Sequence, residues 1–494
     1  MKKYVLEIIV FVSGAVVMIL ELVGSRLIAP YFGTSLMVWT GIIGVILGSL
    51  SLGYYWGGYI ADRNSNYKSL AYILFATSIL IYAVAILNLP VLWNIQRLHL
   101  GLRTKTLLST LILLGPSAVL LGMISPYSVK LRLKNITKSG QTVGFLFALS
   151  TVGSIAGTFT AGFFLIAYFG TVKILLVLAF TLIILSFLAD WRRLLYLRCM
   201  VGIIVLVSFN YVGIIQVGAV NKLVDVDSQY GRIWIFDTKD DSAKRPVRTL
   251  FINGEHNSAV FLDGEEDLVY DYTKYYRLVK HFNPQVKRAL AIGGGAYNYP
   301  RDFLKQFPEA TIDVVEIDPT VTELARKYFN LKNDPRLRIF HEDGRTFINR
   351  DHLRYDAIFV DAFNSLSVPY QLTTKEAIAR MYSLMEDGGI VITNLISTVS
   401  GRGSKFLHAE YRTYKEIFPY VYVLPTRSEA FRLDQNVMIV ARKSASAPEM
   451  TSINEELNSY LKNLMPNNFS LNVTVLTDDY APVDQYSAEL LMQK

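Results

Sequence analysis

The chain has 494 residues, is 52% hydrophobic and has a mean hydropathy of +0.31, a balance that excludes a wholly soluble protein of ordinary composition. Its net charge of +8 needs no nucleic-acid partner, because basic loops beside membrane spans meet anionic lipid and no nucleic-acid module is present. With Cys199 the sole cysteine and six scattered histidines, neither an intrachain disulfide nor a metal site is expected.

Apolar runs at about 5–28, 38–60, 69–89, 106–127, 143–168, 172–190 and 197–218 each approach the roughly 20 residues of a bilayer crossing. The first is too long, and too closely followed by others, to be a cleavable signal peptide. About seven spans therefore form a membrane domain over 1–218. Gly44–Gly48, Gly53–Gly57 and Gly153–Gly157 have the small-xxx-small spacing that lets helix backbones approach. Glu21 and Arg26 form a candidate polar site, since a carboxylate within an apolar span needs a partner, a ligand or a wet cavity. They lie five residues apart, so a direct pair requires a bent helix end. Asp62–Arg63 ends the second span. Lys2–Lys3, Arg63/Lys68, the cluster Lys130 to Lys138 and Arg192/Arg193/Arg198 fall in alternate loops, which the positive-inside rule makes cytoplasmic. Seven spans then leave the C-terminal domain outside. A cytoplasmic domain needs one span fewer, with 90–105 the ambiguous stretch.

Beyond Val220 the pattern changes. Short alternating runs with Asn253–Gly254 and Asp263–Gly264 turns predict a small antiparallel β-domain over 219–264. A helix pattern follows over 267–282. Strands and helices then alternate through "RALAIGG", "TIDVVEID", "VTELARKYF", "LRIFHEDG", "YDAIFVDAF", "TKEAIARMYSLM" and "GGIVITNL". That alternation predicts a doubly wound parallel sheet over 265–445, with ligands at the carboxyl ends of its strands. Residues 446–494 form a C-terminal extension.

The strand ends carry the chemistry. Gly293, Gly294 and Gly295 follow the first strand, where a glycine turn lets backbone approach a nucleoside. Glu316 ends the second strand, where an acid binds ribose hydroxyls. Asp343–Gly344 ends the third, placed for the edge of an adenine. Asp361 ends the fourth, beside a reacting atom. Each acid could instead cap a helix, as could Asp318 before Pro319. A dinucleotide dehydrogenase fits less well, because the third glycine of its fingerprint falls on Asn298.

"LAIGGG", "VVEIDP", "DPRLRIFHEDGRTF" and "YDAIFVDAF…LTTKEA" resemble the spermidine synthase (polyamine aminopropyltransferase) family over essentially all of 220–445. With "ILELVGSRLIAPYFGTS", "GGYIADR" and "LTDDYAPVD", the layout is similar to bacterial membrane-fused members. The resemblance implies a multi-pass helical membrane domain followed by a Rossmann-like domain that binds an adenosyl sulfonium. It implies Glu316 on the donor ribose, Asp343 on the adenine and Asp361 as the proton acceptor for the attacking amine. No cofactor is held permanently; decarboxylated S-adenosylmethionine is the co-substrate. Expected partners are a polyamine or other amine and the lipid bilayer, without nucleic acid, and a homo-oligomer is compatible. The expected location is the cell (inner) membrane with the catalytic domain cytoplasmic.

The chain departs from the family on the amine side. Ala296 and Asn364 stand where aspartates are usual, Gly231 replaces a glutamine, and a Tyr-His-Glu stretch reads Tyr270–Asp271–Tyr272. Tyr270, Asp271, Asn364 and Tyr370 are the acceptor candidates, and Tyr297 or Tyr299 could offer an aromatic face to a cation. An S-adenosylmethionine-dependent methyltransferase acting on an amine or lipid, or a non-catalytic polyamine sensor or transporter, are the alternatives.

Overall fold

A computed structural model of the chain describes residues 4–133, 139–210, 222–240, 244–264, 267–362, 368–466, 469 and 472–491. Two compact units are present: Met1–Asn221 with Asp225–Arg232, and Lys222–Val224 with Ile233–Lys494.

The first unit is helical. Helices Val5–Phe32, Leu36–Arg63, Tyr67–Gln96, Ser139–Leu165 and Thr171–Ala189 are long and apolar enough to cross a bilayer. The fourth expected span is two helices, Leu102–Leu113 and Gly115–Arg132, bent by 54°. Gly115 and Pro116 open the second of these, where a proline costs no helical hydrogen bond. The described part of the seventh run forms the helix Leu195–Asn210, and residues 211–218 lie outside the described residues. Among the described residues, counting the bent pair once, up to six helices are long and apolar enough to cross.

Helix Leu36–Arg63 packs along Gly115–Arg132, Val5–Phe32 along Ser139–Thr160, and Tyr67–Gln96 along Thr171–Ala189. Two of the three glycine pairs sit in these seams. A Cβ on Gly57 would lie 2.6 Å from Met123 Cα, and one on Gly53 would strike the Val119 carbonyl. Gly153 and Gly157 meet Phe11 and Ala15 in the same way. Gly44 and Gly48 have nothing within 4 Å, so identical spacing there does no packing. At the helix ends Asp62 pairs with Lys130 (2.6 Å), and Glu7 pairs with Arg132 (2.9 Å). Gly57→Val should therefore destabilise the detergent-solubilised protein by about 1–3 kcal/mol, as overpacking does. Gly44→Val should leave its melting temperature unchanged. Equal effects of the two, read by thermal unfolding, would remove the packing assignment.

The second unit opens with a four-stranded sheet, β1 (Lys222–Asp227), β2 (Arg232–Lys239), β3 (Pro246–Ile252) and β4 (Glu255–Phe261), in that order. Asn253 (φ 52°) and Gly254 (φ 84°) close the β3–β4 hairpin, the left-handed pair that a two-residue turn requires. A helical segment over 271–282 leads to the larger sheet. Its strands are β5 (Arg288–Ile292), β6 (Thr311–Val315), β7 (Leu337–Phe340), β8 (Tyr355–Val360), β9 (Met385–Ser397), β10 (Tyr420–Pro425) and β11 (Gln435–Arg442).

The order is β10-β11-β9-β8-β5-β6-β7. From β7 to β9 all neighbours are parallel, as expected of buried apolar strands joined by helices. The five expected strands are those parallel ones, and two further strands extend the other edge. There β11 runs antiparallel to β9, and β10 antiparallel to β11. The connection between β10 and β11 is too short for a crossover helix, so this pair returns as a hairpin.

The C-terminal extension is packed, with Leu457 and Leu461 in the same core as Tyr275, Tyr276 and Phe359. Arg277 fixes it further. Its guanidinium holds Asp302 through two bonds (2.7 and 2.9 Å), Asp267 (2.7 Å) and Glu456 (2.8 Å). These bonds, those to Asp302 foremost, hold its pKa well above the ordinary arginine value. Tyr275 stacks on Tyr460 at 4.5 Å, and Asn463 donates to the Tyr275 hydroxyl (2.7 Å).

Candidate functional site

The turn after β5 is built by its glycines and one acid. Gly293 adopts φ +101°, and any Cβ there would strike the carbonyl oxygen of Asp361. The peptide N–H groups of Gly294 and Gly295 donate to Glu316 Oε2 (2.9 and 3.2 Å), and that of Asp318 donates to Oε1 (3.0 Å). Glu316 is 8% exposed. Burial raises its pKa, against the lowering effect of these N–H donors. Oε1 retains acceptor capacity, since each carboxylate oxygen takes about two donors.

The residues after the turn face inward. Ala296 is buried among Ile233, Ile235, Leu250, Val321 and Phe329, and its N–H donates to Ser258 Oγ (3.1 Å). Tyr297 is a correction to the sequence reading. It is fully buried in a left-handed conformation (φ 58°), with its hydroxyl on Thr322 Oγ1 (2.6 Å). A Cβ on Gly294 would lie 2.8 Å from Tyr297 Cζ, so the ring lies against the glycine turn from the core side. It does not line the cleft beside the turn; Tyr299 does.

A cleft opens on the other side of the turn, lined by Gly293, Gly294, Tyr270, Tyr272, Tyr276, Tyr299 and Asp361 among others. Asp361 Oδ1 accepts from Asn394 Nδ2 (2.9 Å), and Oδ2 from the Tyr272 hydroxyl (3.4 Å). Asn394, on β9, is oriented in turn by Asn436 on β11, whose Nδ2 donates to its Oδ1 (3.0 Å). Burial raises the Asp361 pKa, while bonds from Asn394, Tyr276 and Tyr272 lower it. The Tyr272 and Tyr276 hydroxyls are pushed well up, by burial first and by the Asp361 charge next, so both remain donors. A half-buried carboxylate held by donors can receive a proton and keep its position.

Asp343 caps the helix Gly344–Arg350, with Oδ1 accepting from Thr346 N–H (2.9 Å) and Oδ2 3.5 Å from Gln371 Nε2. The cap thus commits Oδ1 of this carboxylate. A Cβ on Gly344 would lie 2.6 Å from Ile292, so the helix packs tightly on β5. Neither residue lines the cleft. Tyr270 does, with its hydroxyl 3.2 Å from His256 Nδ1. Asp271 turns to solvent, its side chain 78% exposed and 3.3 Å from Lys274, and so supplies no carboxylate to the cleft. Tyr370 begins a 3-10 turn, is 52% exposed and does not line the cleft. Asn364 lies outside the described residues. In the first unit, Glu21 is half-buried in an unbroken helix and is not paired with Arg26.

Residues 275–444 match the family model of the spermine/spermidine synthase domain. Over this segment the chain is similar to spermine/spermidine synthases. The family resemblance read from the sequence stands at that level. The chain is 35% identical over 144 residues to a polyamine aminopropyltransferase of Vibrio vulnificus, covering 28% of this chain and 46% of that one. To a protein of Bifidobacterium longum named "probable polyamine aminopropyl transferase" it is 29% identical over 216 residues, covering 40% and 48%. The chain thus spans about half the length of these curated relatives. A crystal structure of spermidine synthase from Thermotoga maritima is similar at a TM-score of 0.39 and 20% identity, covering 50% of this chain and 85% of that one.

Within the domain, sequence reading missed Asn394, Asn436 and Tyr276. The available signal was an amide inside a largely apolar strand, single for Asn394 and beside Gln435 for Asn436, a group that must find a partner.

Proposed function

We propose that the chain is a membrane-bound, spermidine synthase-like aminopropyltransferase, acting on decarboxylated S-adenosylmethionine and an amine such as putrescine. The observation that carries this reading is Asp361, held at the end of β8 in a tyrosine-lined cleft beside the Gly293–Gly295 turn. The donor's ribose hydroxyls bind Glu316 and its adenine edge meets Asp343. An alkylamine has a pKa near ~10 and arrives protonated. Asp361 takes that proton and aligns the nitrogen. The amine lone pair then forms a C–N bond to the propyl carbon beside sulfur. The C–S pair returns to sulfur, which leaves as the neutral thioether methylthioadenosine. In this reading the chain sits in the cell (inner) membrane with its catalytic domain cytoplasmic, which the long apolar helices and the basic residues of alternate loops support.

The test is incubation of the detergent-purified chain with decarboxylated S-adenosylmethionine and putrescine, with mass spectrometry of the products. Equimolar methylthioadenosine and an aminopropylated amine are expected. A methylated amine formed only from S-adenosylmethionine would replace this reading with the methyltransferase one.

A further inference from the structure

The carboxylate of Asp361 is held unequally at its two oxygens, and the cause lies two strands away. Val360 pairs with Thr393, so Asp361 follows on beside Asn394 of β9. Across the next strand pair, Asn394 is opposite Met438 and Asn436 is opposite Ile396. The two asparagines are therefore diagonal neighbours on one face of the sheet, within side-chain reach. Asn436 Nδ2 donates to Asn394 Oδ1 (3.0 Å), and Asn394 Nδ2 donates to Asp361 Oδ1 (2.9 Å). The backbone of Asn436 is fixed in turn, its carbonyl accepting from Thr426 N–H (3.0 Å) and Oγ1 (2.9 Å).

An asparagine amide turned end for end fills nearly the same space. Alone, Asn394 could offer Asp361 either a donor or an acceptor. Asn436 removes that choice. With the Asn394 amide reversed, NH₂ would face NH₂ and oxygen would face the carboxylate, leaving buried polar groups unpaired. Asn394 is 2% exposed, so bulk water does not relieve that arrangement.

Oδ2 of Asp361 is held more loosely. It takes the Tyr272 hydroxyl at 3.4 Å, and that single proton is shared with the Asn257 carbonyl at 3.3 Å. The titratable groups that face the carboxylate are Tyr272 and Tyr276, both neutral phenols. Tyr270 and Tyr299 are the others among the described lining residues of the cleft.

We infer that Asn394, locked in one amide orientation by Asn436, is the positioning residue that commits Oδ1 of Asp361 and reserves Oδ2 for the proton of the amine. The ammonium N–H bond breaks, its electron pair stays on nitrogen, and the proton ends on Oδ2. This rests on the aminopropyl-transfer reading for its effect on turnover and on the geometry alone for its effect on the Asp361 proton, and the experiment separates the two.

Asn394→Leu keeps a branched side chain and removes the donor that lowers the Asp361 pKa. Full-length variant in detergent, given decarboxylated S-adenosylmethionine and putrescine, should lose at least about tenfold in kcat/KM. The acid limb of its pH profile should move up by about one unit or more, the worth of a hydrogen bond to a charged group. Asn436→Leu should move the limb the same way by less. Because Asn436 acts through Asn394, the double leucine variant should match Asn394→Leu alone. It also leaves neither amide orphaned, and so serves where a single variant folds poorly. Additive effects, or an acid limb that stays in place in folded variants, overturn the inference. Without turnover, infrared difference spectra of the same proteins titrate the Asp361 carboxyl, with Asp361→Asn identifying its band. A carboxyl that keeps its proton to higher pH in Asn394→Leu upholds the positioning even if no transfer occurs, in which case only the reaction reading fails. An unchanged titration overturns it.

Discussion

Replacing Asp361 with asparagine should lower transfer by about 10²–10⁴-fold while leaving methylthioadenosine binding unchanged. Asparagine keeps the shape and can still accept from Asn394, but it cannot take a proton from the amine. The pH dependence carries a sign. Burial holds the Asp361 carboxyl above its ordinary 3.8, so the base form appears only as pH rises through that raised value. The wild-type kcat/KM should therefore show an acid limb displaced upward from 3.8. The same shift acts on stability in the opposite sense. A group bound to its proton more tightly when folded contributes fully below 3.8 and loses that contribution as pH rises through the raised value. Asp361→Asn should thus melt no lower than the wild type at neutral pH, and a slow, stable variant is the expected phenotype. Near-normal turnover in steady-state assays would reduce Asp361 to an orienting group.

The second large effect lies at Glu316. Glu316→Ala leaves the N–H groups of Gly294, Gly295 and Asp318 without their acceptor and removes the proposed ribose partner. Loss of a charged hydrogen-bond partner costs about 2 kcal/mol or more, so nucleoside affinity should fall roughly 30-fold. Glu316→Gln should lie between the two. One amide oxygen can serve the glycines or Asp318, while its NH₂ opposes the other donor. Titration calorimetry with methylthioadenosine decides it, and unchanged affinity in a folded Glu316→Ala protein would end the donor-site assignment.

What the sequence made legible follows from which signals are local. A glycine turn after an apolar run, an acid at a strand end and Asp318 ahead of a proline are local, and the structure places each at the expected strand end. Asp318 accepts from Thr320 N–H at 3.0 Å. Packing partners are not local. Gly44–Gly48 and Gly53–Gly57 are identical as patterns, and only the position of the helix Gly115–Arg132 distinguishes them. The inward turn of Tyr297 depends on a left-handed φ and on space beneath Gly294. Likewise, the run 106–127 has uniform hydropathy, although its "LGP" marked the place where the helix breaks. β10 and β11 lie beyond the five strands expected from the sequence, and nothing in their composition gives direction.

The Arg277 cluster means that the family segment ends before its own foundations do. The matched residues stop at 444, yet Glu456, Tyr460 and Asn463 hold Arg277 and Tyr275 on the very segment that supplies Tyr272 and Tyr276 to the cleft. The last fifty or so residues act as a buttress set behind the wall rather than as a tail. Substitutions there can shift the cleft wall without altering any side chain that lines it. A fragment cut at the family boundary would keep every chemical group of the site and lose the masonry that gives the site its shape.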